Sequence, residues 1–252
     1  MSKALLDRQG YKTIKISKYI TKIIRNGIIL NLNKKFKDYE FDSMESIIKY
    51  IKDLPDHLFI KNFGHNALRI LDDHSTFKVN QWVKNRITKE LNCKKASLNI
   101  IANSDLKINK FLKKKQYNVF FRLVRKNRKD VGFPHRDSSF WKLGIVRKTH
   151  FKYNARWKLW IPIIGTDKKN SLRLIKSSHN DNIKVKFVKR RNKTKPKISK
   201  EYIEKNVKRT IVPIKKFDGS EGMIFHDDLV HYAKINRSTD CRISAEFNIL
   251  VK

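Results

Sequence analysis

Phe133-Pro134-His135-Arg136-Asp137 is the stretch on which the reading of this chain turns. Side chains alternate between the faces of a strand, so on a strand His135 and Asp137 would share one face and Arg136 would point away. An imidazole nitrogen and a carboxylate oxygen presented together can hold one divalent metal. A second His would complete a set of two His and one carboxylate. Such a set leaves the opposite coordination positions open and marks non-haem Fe(II) sites that use O2. Alone, His-x-Asp fits a surface turn with an ordinary ion pair equally well.

Two residues can supply that second His. His226 and His231 both lie in Gly222-Met-Ile-Phe-His-Asp-Asp-Leu-Val-His231. Downstream, Arg242 stands eleven residues beyond His231. That distance allows a strand, a turn and a return strand, which would bring Arg242 back beside the metal. The planar fork of an Arg matches a carboxylate at two points, so Arg242 suits the far end of a dicarboxylate co-substrate. Ser244, two residues further, would face the same side and offer a second hydrogen bond. His57, His65, His74 and His150 have no metal-ligand spacing.

Working outward, the chain divides near Tyr117. Residues 1–116 read as a mainly helical support region. Residues 1–42 form an irregular arm with one or two short elements, among them an alternating strand from Tyr11 to Ile16. Asp42-Ser43 caps a helix over Met44–Lys52, and Pro55 follows it. Further helices are expected over Gly64–Asp73, Thr76–Leu91 and Asp105–Lys115. From Tyr117 the chain becomes a series of strands broken by turn signals: Tyr117–Arg125, Arg156–Ile164, Ser171–Ile175, Ile183–Lys189, Arg209–Phe217, Gly222–His226, Val230–Lys234 and Arg242–Val251. Within 183–217, the run from Lys189 to Lys197 is too polar to pack and reads as a solvated basic loop or lid. The fold class expected is α+β: a helical N-terminal part, then a double-stranded β-helix (jelly-roll, cupin-like) core over 117–252, making one structural domain overall.

The 252 residues carry 59 Lys and Arg against 23 Asp and Glu, a formal charge of +36. A polyanionic partner would account for this, whether nucleic acid or an anionic substrate. So would an AT-rich coding sequence, since Lys far outnumbers Arg and the cations are spread along the whole chain. The basic stretches of the second half lack the interleaved aromatics of base-stacking surfaces. A hydrophobic share of 40% excludes a disordered chain. Cys93 and Cys241 have no metal or disulfide spacing and suit a reducing, cytoplasmic compartment. No apolar run is long enough for a transmembrane segment, and no secretory signal opens the chain.

Three ordered blocks resemble the Fe(II)- and 2-oxoglutarate-dependent dioxygenases, specifically the phytanoyl-CoA dioxygenase-like branch. They are Pro134–Asp137, Trp160-Ile-Pro-Ile with Asn170–His179, and Gly222–Ser244. The resemblance covers roughly 117–250. It implies His135, Asp137 and His231 as iron ligands, with His226 in the place of a structural residue five positions earlier. It implies Arg242 on the C5 carboxylate of 2-oxoglutarate and Trp160 beside that co-substrate. Where the branch often has Ser two residues after the ligand His, this chain has Ala233, and Ser244 could supply that bond. The implied function is a hydroxylase using Fe(II), 2-oxoglutarate and O2 on an unactivated C–H of a small lipid- or sugar-derived metabolite, an anionic one as the basic segment 183–217 suggests, releasing succinate and CO2. No obligate protein partner is implied. The alternative is a nucleic-acid-directed oxygenase or a basic nucleic-acid-binding protein on the same fold.

Overall fold

A computed structural model describes residues 2–63, 73–100, 119–143, 155–190 and 193–252. Helix α1 spans Ser2–Gln9, strand β1 Tyr11–Lys15 and helix α2 Lys18–Lys35. The first 42 residues are thus not an irregular arm. Ile20, Ile24, Ile28 and Leu32 recur every fourth residue and are all buried along α2, the stripe of an amphipathic helix. Helix α3, Met44–Lys52, begins as expected: Ser43 Oγ accepts the Ser46 amide at 3.1 Å, and Ser46 Oγ accepts the Ser43 amide at 3.3 Å. Helices α4, Asp56–Phe63, and α5, Asp73–Leu91, follow. The helix expected over Gly64–Asp73, all but its last residue, and that over Asp105–Lys115 lie outside the described residues.

The strands are β2 Leu98–Ile100, β3 Phe120–Val124, β4 Ala155–Ile164, β5 Leu172–Ile175, β6 Lys186–Arg190, β7 Lys193–Lys197, β8 Thr210–Ile211, β9 Glu221–His226, β10 His231–Ala233 and β11 Arg242–Val251. Short helices α6, Ser138–Lys142, and α7, Lys200–Lys205, sit between them. The first two residues of the strand expected at Tyr117–Arg125 lie outside the described residues. The run read as a solvated loop forms a hairpin instead, β6 against β7, with Lys186 opposite Lys197 and Arg190 opposite Lys193.

A six-stranded antiparallel sheet has the order β1-β9-β4-β11-β2, and β3 pairs with β11 beside β2. The second sheet is β10-β5-β8. Two strands of the first 116 residues, β1 and β2, are therefore part of the major sheet. The outer face of that sheet (Trp157, Leu159, Ile161, Ile224, Phe247 and neighbours) packs on α2, α3 and α5 in one large core. Its inner face joins the minor sheet through Trp160, Leu172, Leu174, Met223, Phe225 and Leu229. Trp157 and Trp160 thus point to opposite faces, as period two demands. The result is the expected α+β jelly roll with a helical layer on its outside.

Two local devices hold the frame. Gly165 ends β4 with φ +66°, and a Cβ there would lie 1.8 Å from the Cys241 carbonyl oxygen, so only glycine fits. Arg125, fully buried, forks onto Asp130 at 3.0 and 3.1 Å and donates to the Leu54 carbonyl at 2.6 Å and to Asp56 at 2.7 Å. Its guanidinium lies 3.8 Å from the Phe59 ring centre. It joins the end of β3 to the start of α4. No helix among the described residues is long and apolar enough to cross a membrane.

Candidate metal centre and co-substrate cavity

His135 pairs directly with His231 at the start of β10, as an isolated bridge outside the named strands. The His135 amide donates to the His231 carbonyl at 3.2 Å, and the His231 amide to the His135 carbonyl at 3.0 Å. Their rings are 4.4 Å apart, centre to centre. The strand expected for His135-Arg136-Asp137 is only this single bridge. Asp137 already stands in the turn that leads into α6. His135 and Asp137 nevertheless converge, because the turn folds the carboxylate back toward the bridge. Asp137 Oδ1 lies 3.5 Å from His135 Nε2 and 3.6 Å from His231 Nε2. One ligand atom from each of the three lies within 4.8 Å of the others, so the group could hold a metal ion.

The tautomers favour that role. His135 Nδ1 is 2.5 Å from the Phe133 carbonyl oxygen, and His231 Nδ1 is 2.9 Å from that of Leu229. A carbonyl can only accept, so each Nδ1 carries a proton, and Nε2, the nitrogen nearer Asp137, is the one left to meet a metal. Burial, helped by the nearby His231, lowers the pKa of His135 and keeps it neutral. Burial alone would raise the Asp137 carboxyl, but Lys158 and the two imidazoles outweigh it and hold it well below the usual range.

His226 does not join them. It stands on the face of β9 opposite Phe225, with its ring 5.1 Å from Trp157 and 5.6 Å from His179. It forms a second group with Asp227 and Asp228, but these side chains have other work. Asp227 pairs with Arg156 at 2.8 Å, Asp228 accepts from Ser138, and His226 Nδ1 accepts the Asp228 amide at 3.1 Å. Ser178 Oγ accepts the Val230 amide at 2.8 Å, and His179 Nε2 meets the Asp7 carbonyl at 3.0 Å, so this pair braces turns. Arg136 donates to the Ser178 and Asp181 carbonyls, away from the triad.

Arg242 is buried at the start of β11. One nitrogen donates to the Asn170 carbonyl, and Nε has no partner. Ser244 Oγ, on the same inner face, is fully buried and also unpartnered. Unsatisfied buried donors are rare and call for a reason; a carboxylate in the cavity that Arg242 lines would satisfy its Nε, whereas Ser244 does not line that cavity. Trp160 is fully buried in the inner cluster with Leu172 and Phe225, which line the cavity, but is not itself a lining residue. His135, His231, Lys158, Arg242 and Glu246 line a cavity of about 40 Å³ with Arg122. That is room for a few waters.

Sequence reasoning missed Lys158 and Glu246. Lys158 Nζ is 2.5 Å from Asp137 Oδ2 and 3.4 Å from Glu246 Oε2. Arg122 Nε is 3.1 Å from Glu246 Oε1. Strand parity could have found them: Lys158 is two before Trp160, and Glu246 two after Ser244. The residues present fit the proposed metal and dicarboxylate in donor type, direction and charge.

The family model for phytanoyl-CoA dioxygenase matches residues 45–244. No curated protein matches the chain in sequence. Among solved structures, AviO1 from Streptomyces viridochromogenes aligns with a TM-score of 0.55 at 11% identity, over 99% of this chain and 93% of that one. EvdO2 from Micromonospora carbonacea, complexed with 2-oxoglutarate, gives 0.55 at 8%, over 100% and 90%. EctD from S. alaskensis, with 2-oxoglutarate and 5-hydroxyectoine, gives 0.52 at 13%, over 98% and 74%. At such identities the likeness is one of fold.

Proposed function

Since the chain belongs to the phytanoyl-CoA dioxygenase family, and is thereby an Fe(II)- and 2-oxoglutarate-dependent oxygenase, we propose that it hydroxylates an unactivated C–H of a small anionic metabolite. His135 Nε2, His231 Nε2 and Asp137 Oδ1 hold the iron. The observation that carries this is their convergence, with both Nδ1 protons spent on backbone carbonyls. Arg242 binds the C5 carboxylate of 2-oxoglutarate, and Ser244 adds a hydroxyl donor where Ala233 offers none. Trp160 backs the cavity from one layer beneath. Iron, 2-oxoglutarate and O2 together supply the oxidising power, and the co-substrate leaves as succinate and CO2.

The chain's own task is to bind, orient and exclude water. Phe225 and Leu172 give the cavity apolar walls. The anionic character of the substrate rests on the β6–β7 hairpin. Its Ile198 end donates to the Pro134 carbonyl at 2.8 Å, next to His135, and no Asp or Glu occurs from Ile183 to Lys200. The nucleic-acid-directed alternative gains no support from the comparisons. The test is succinate formation from 2-oxoglutarate with Fe(II), in the presence of anionic candidate metabolites. Turnover that depends on the added metabolite and vanishes in His135→Ala is expected. Turnover unchanged in that variant would overturn the site assignment.

A further inference from the structure

Lys158 is a buried cation that the proposed reaction does not use. A buried ammonium costs several kcal/mol unless it is paired, and this one is paired twice, with Asp137 and Glu246. The two oxygens of Asp137 are divided between neighbours. Oδ1 faces the imidazoles of His135 on the bridge and His231 on β10, at 3.5 and 3.6 Å. Oδ2 faces Lys158 on β4 at 2.5 Å. Glu246 on β11 holds Lys158 from the other side, and Arg122 on β3 holds Glu246. The chain Arg122–Glu246–Lys158–Asp137 therefore runs across three strands and ends on a proposed metal ligand.

We propose that Lys158, braced by Glu246, is a positioning residue that reserves Asp137 Oδ2 and so makes Asp137 a one-oxygen ligand. This rests on the assignment of His135, Asp137 and His231 as the iron ligands. Its consequence is for the co-substrate more than for the metal. A carboxylate freed at Oδ2 can turn and chelate the metal with both oxygens, as carboxylates do at permissive sites. It would then occupy one of the positions that a two-point 2-oxoglutarate and O2 need. Lys158 keeps that position open.

The experiment is calorimetric titration of Mn(II) into the whole chain, followed by 2-oxoglutarate into the Mn(II)-loaded protein, where no turnover intervenes. Lys158→Met should bind Mn(II) as well as the parent or better, and bind 2-oxoglutarate at least about tenfold (about 1.4 kcal/mol) more weakly, because Asp137 Oδ2 then competes for one of its positions. Lys158→Arg should recover most of that loss. Unchanged 2-oxoglutarate affinity in Lys158→Met overturns the proposal. Parallel loss of Mn(II), 2-oxoglutarate and thermal midpoint assigns Lys158 a purely structural role and also overturns it. If Lys158→Met does not fold, Glu246→Gln keeps the test alive: weakened 2-oxoglutarate with Mn(II) retained is expected, and no change in either overturns it. Failure of the parent chain to bind Mn(II) would instead defeat the underlying ligand assignment.

Discussion

Replacing Arg242 by Met should separate co-substrate binding from stability. Arg242 is 2% exposed, and the Asn170 carbonyl is its one hydrogen-bond partner among the described residues. Burial, and then the charge of Arg122, push its pKa down to about 10. A cation whose folded pKa is lowered is penalised at every pH below that value and relieved only above it. At pH 7 the penalty is therefore complete, of order 3 kcal/mol at about 1.4 kcal/mol per tenfold change in the proton equilibrium. Met removes the charge and keeps the bulk. It also leaves the Asn170 carbonyl unpaired, which returns about 1–3 kcal/mol. The protein without ligands should then melt at the parent's temperature or a few degrees higher. 2-Oxoglutarate loses two charge-assisted hydrogen bonds at about 1.5–3 kcal/mol each, so its affinity should fall roughly 10²- to 10⁴-fold. Thermal melting and calorimetric titration of Mn(II)-loaded protein measure the two halves. A melting point lowered by more than about 5 °C, with 2-oxoglutarate affinity intact, would refute the reasoning and make Arg242 a structural residue.

Burial alone would raise the Glu246 carboxyl, but Arg122 and then Lys158 outweigh it and hold it down to about 2. A carboxyl lowered on folding contributes stability above its unfolded pKa, near 4.3, and loses it as pH falls toward the folded value. Glu246→Gln should therefore be less stable by about 3 kcal/mol at pH 7, and the gap in denaturant midpoint should narrow as pH drops from about 5 to 2. Gly165→Ala forces a Cβ to 1.8 Å from the Cys241 carbonyl at φ +66°, so its melting point should fall sharply or soluble protein should be lost. Arg125→Met strands the Asp130 carboxylate, 2% exposed, and should lower stability by about 3–5 kcal/mol in urea unfolding.

Strand parity made part of the candidate site legible in advance. The return strand β11 has the expected bounds, and His231 and Arg242 line one cavity. The same parity extends to Glu246 and Lys158. Lys158 was hidden by composition: in a chain with 59 Lys and Arg, a lysine between apolar residues on a strand carries little weight. The local geometry of His135-Arg136-Asp137 was not legible. Pro134 has no amide to give a ladder, and Ser138 begins a helix, so the pair converges through a turn and not by alternation. Helix α2 escaped because Gly27 and three Asn interrupt a sequence whose Ile20, Ile24, Ile28 and Leu32 stripe is otherwise plain. Strand β6 overlaps the expected Ile183–Lys189, but its partner β7 escaped for the opposite reason. The two strands pair only with each other, so no buried face imposes an apolar alternation on the lysines.

The triad itself is tested most directly by the stoichiometry of Mn(II) bound to the parent chain, His231→Ala and His226→Ala, measured by calorimetry under one set of conditions. One metal per chain should bind to the parent and to His226→Ala, and none to His231→Ala. Mn(II) bound equally well by His231→Ala, or lost in His226→Ala alone, would contradict the assignment of the iron to His135, Asp137 and His231.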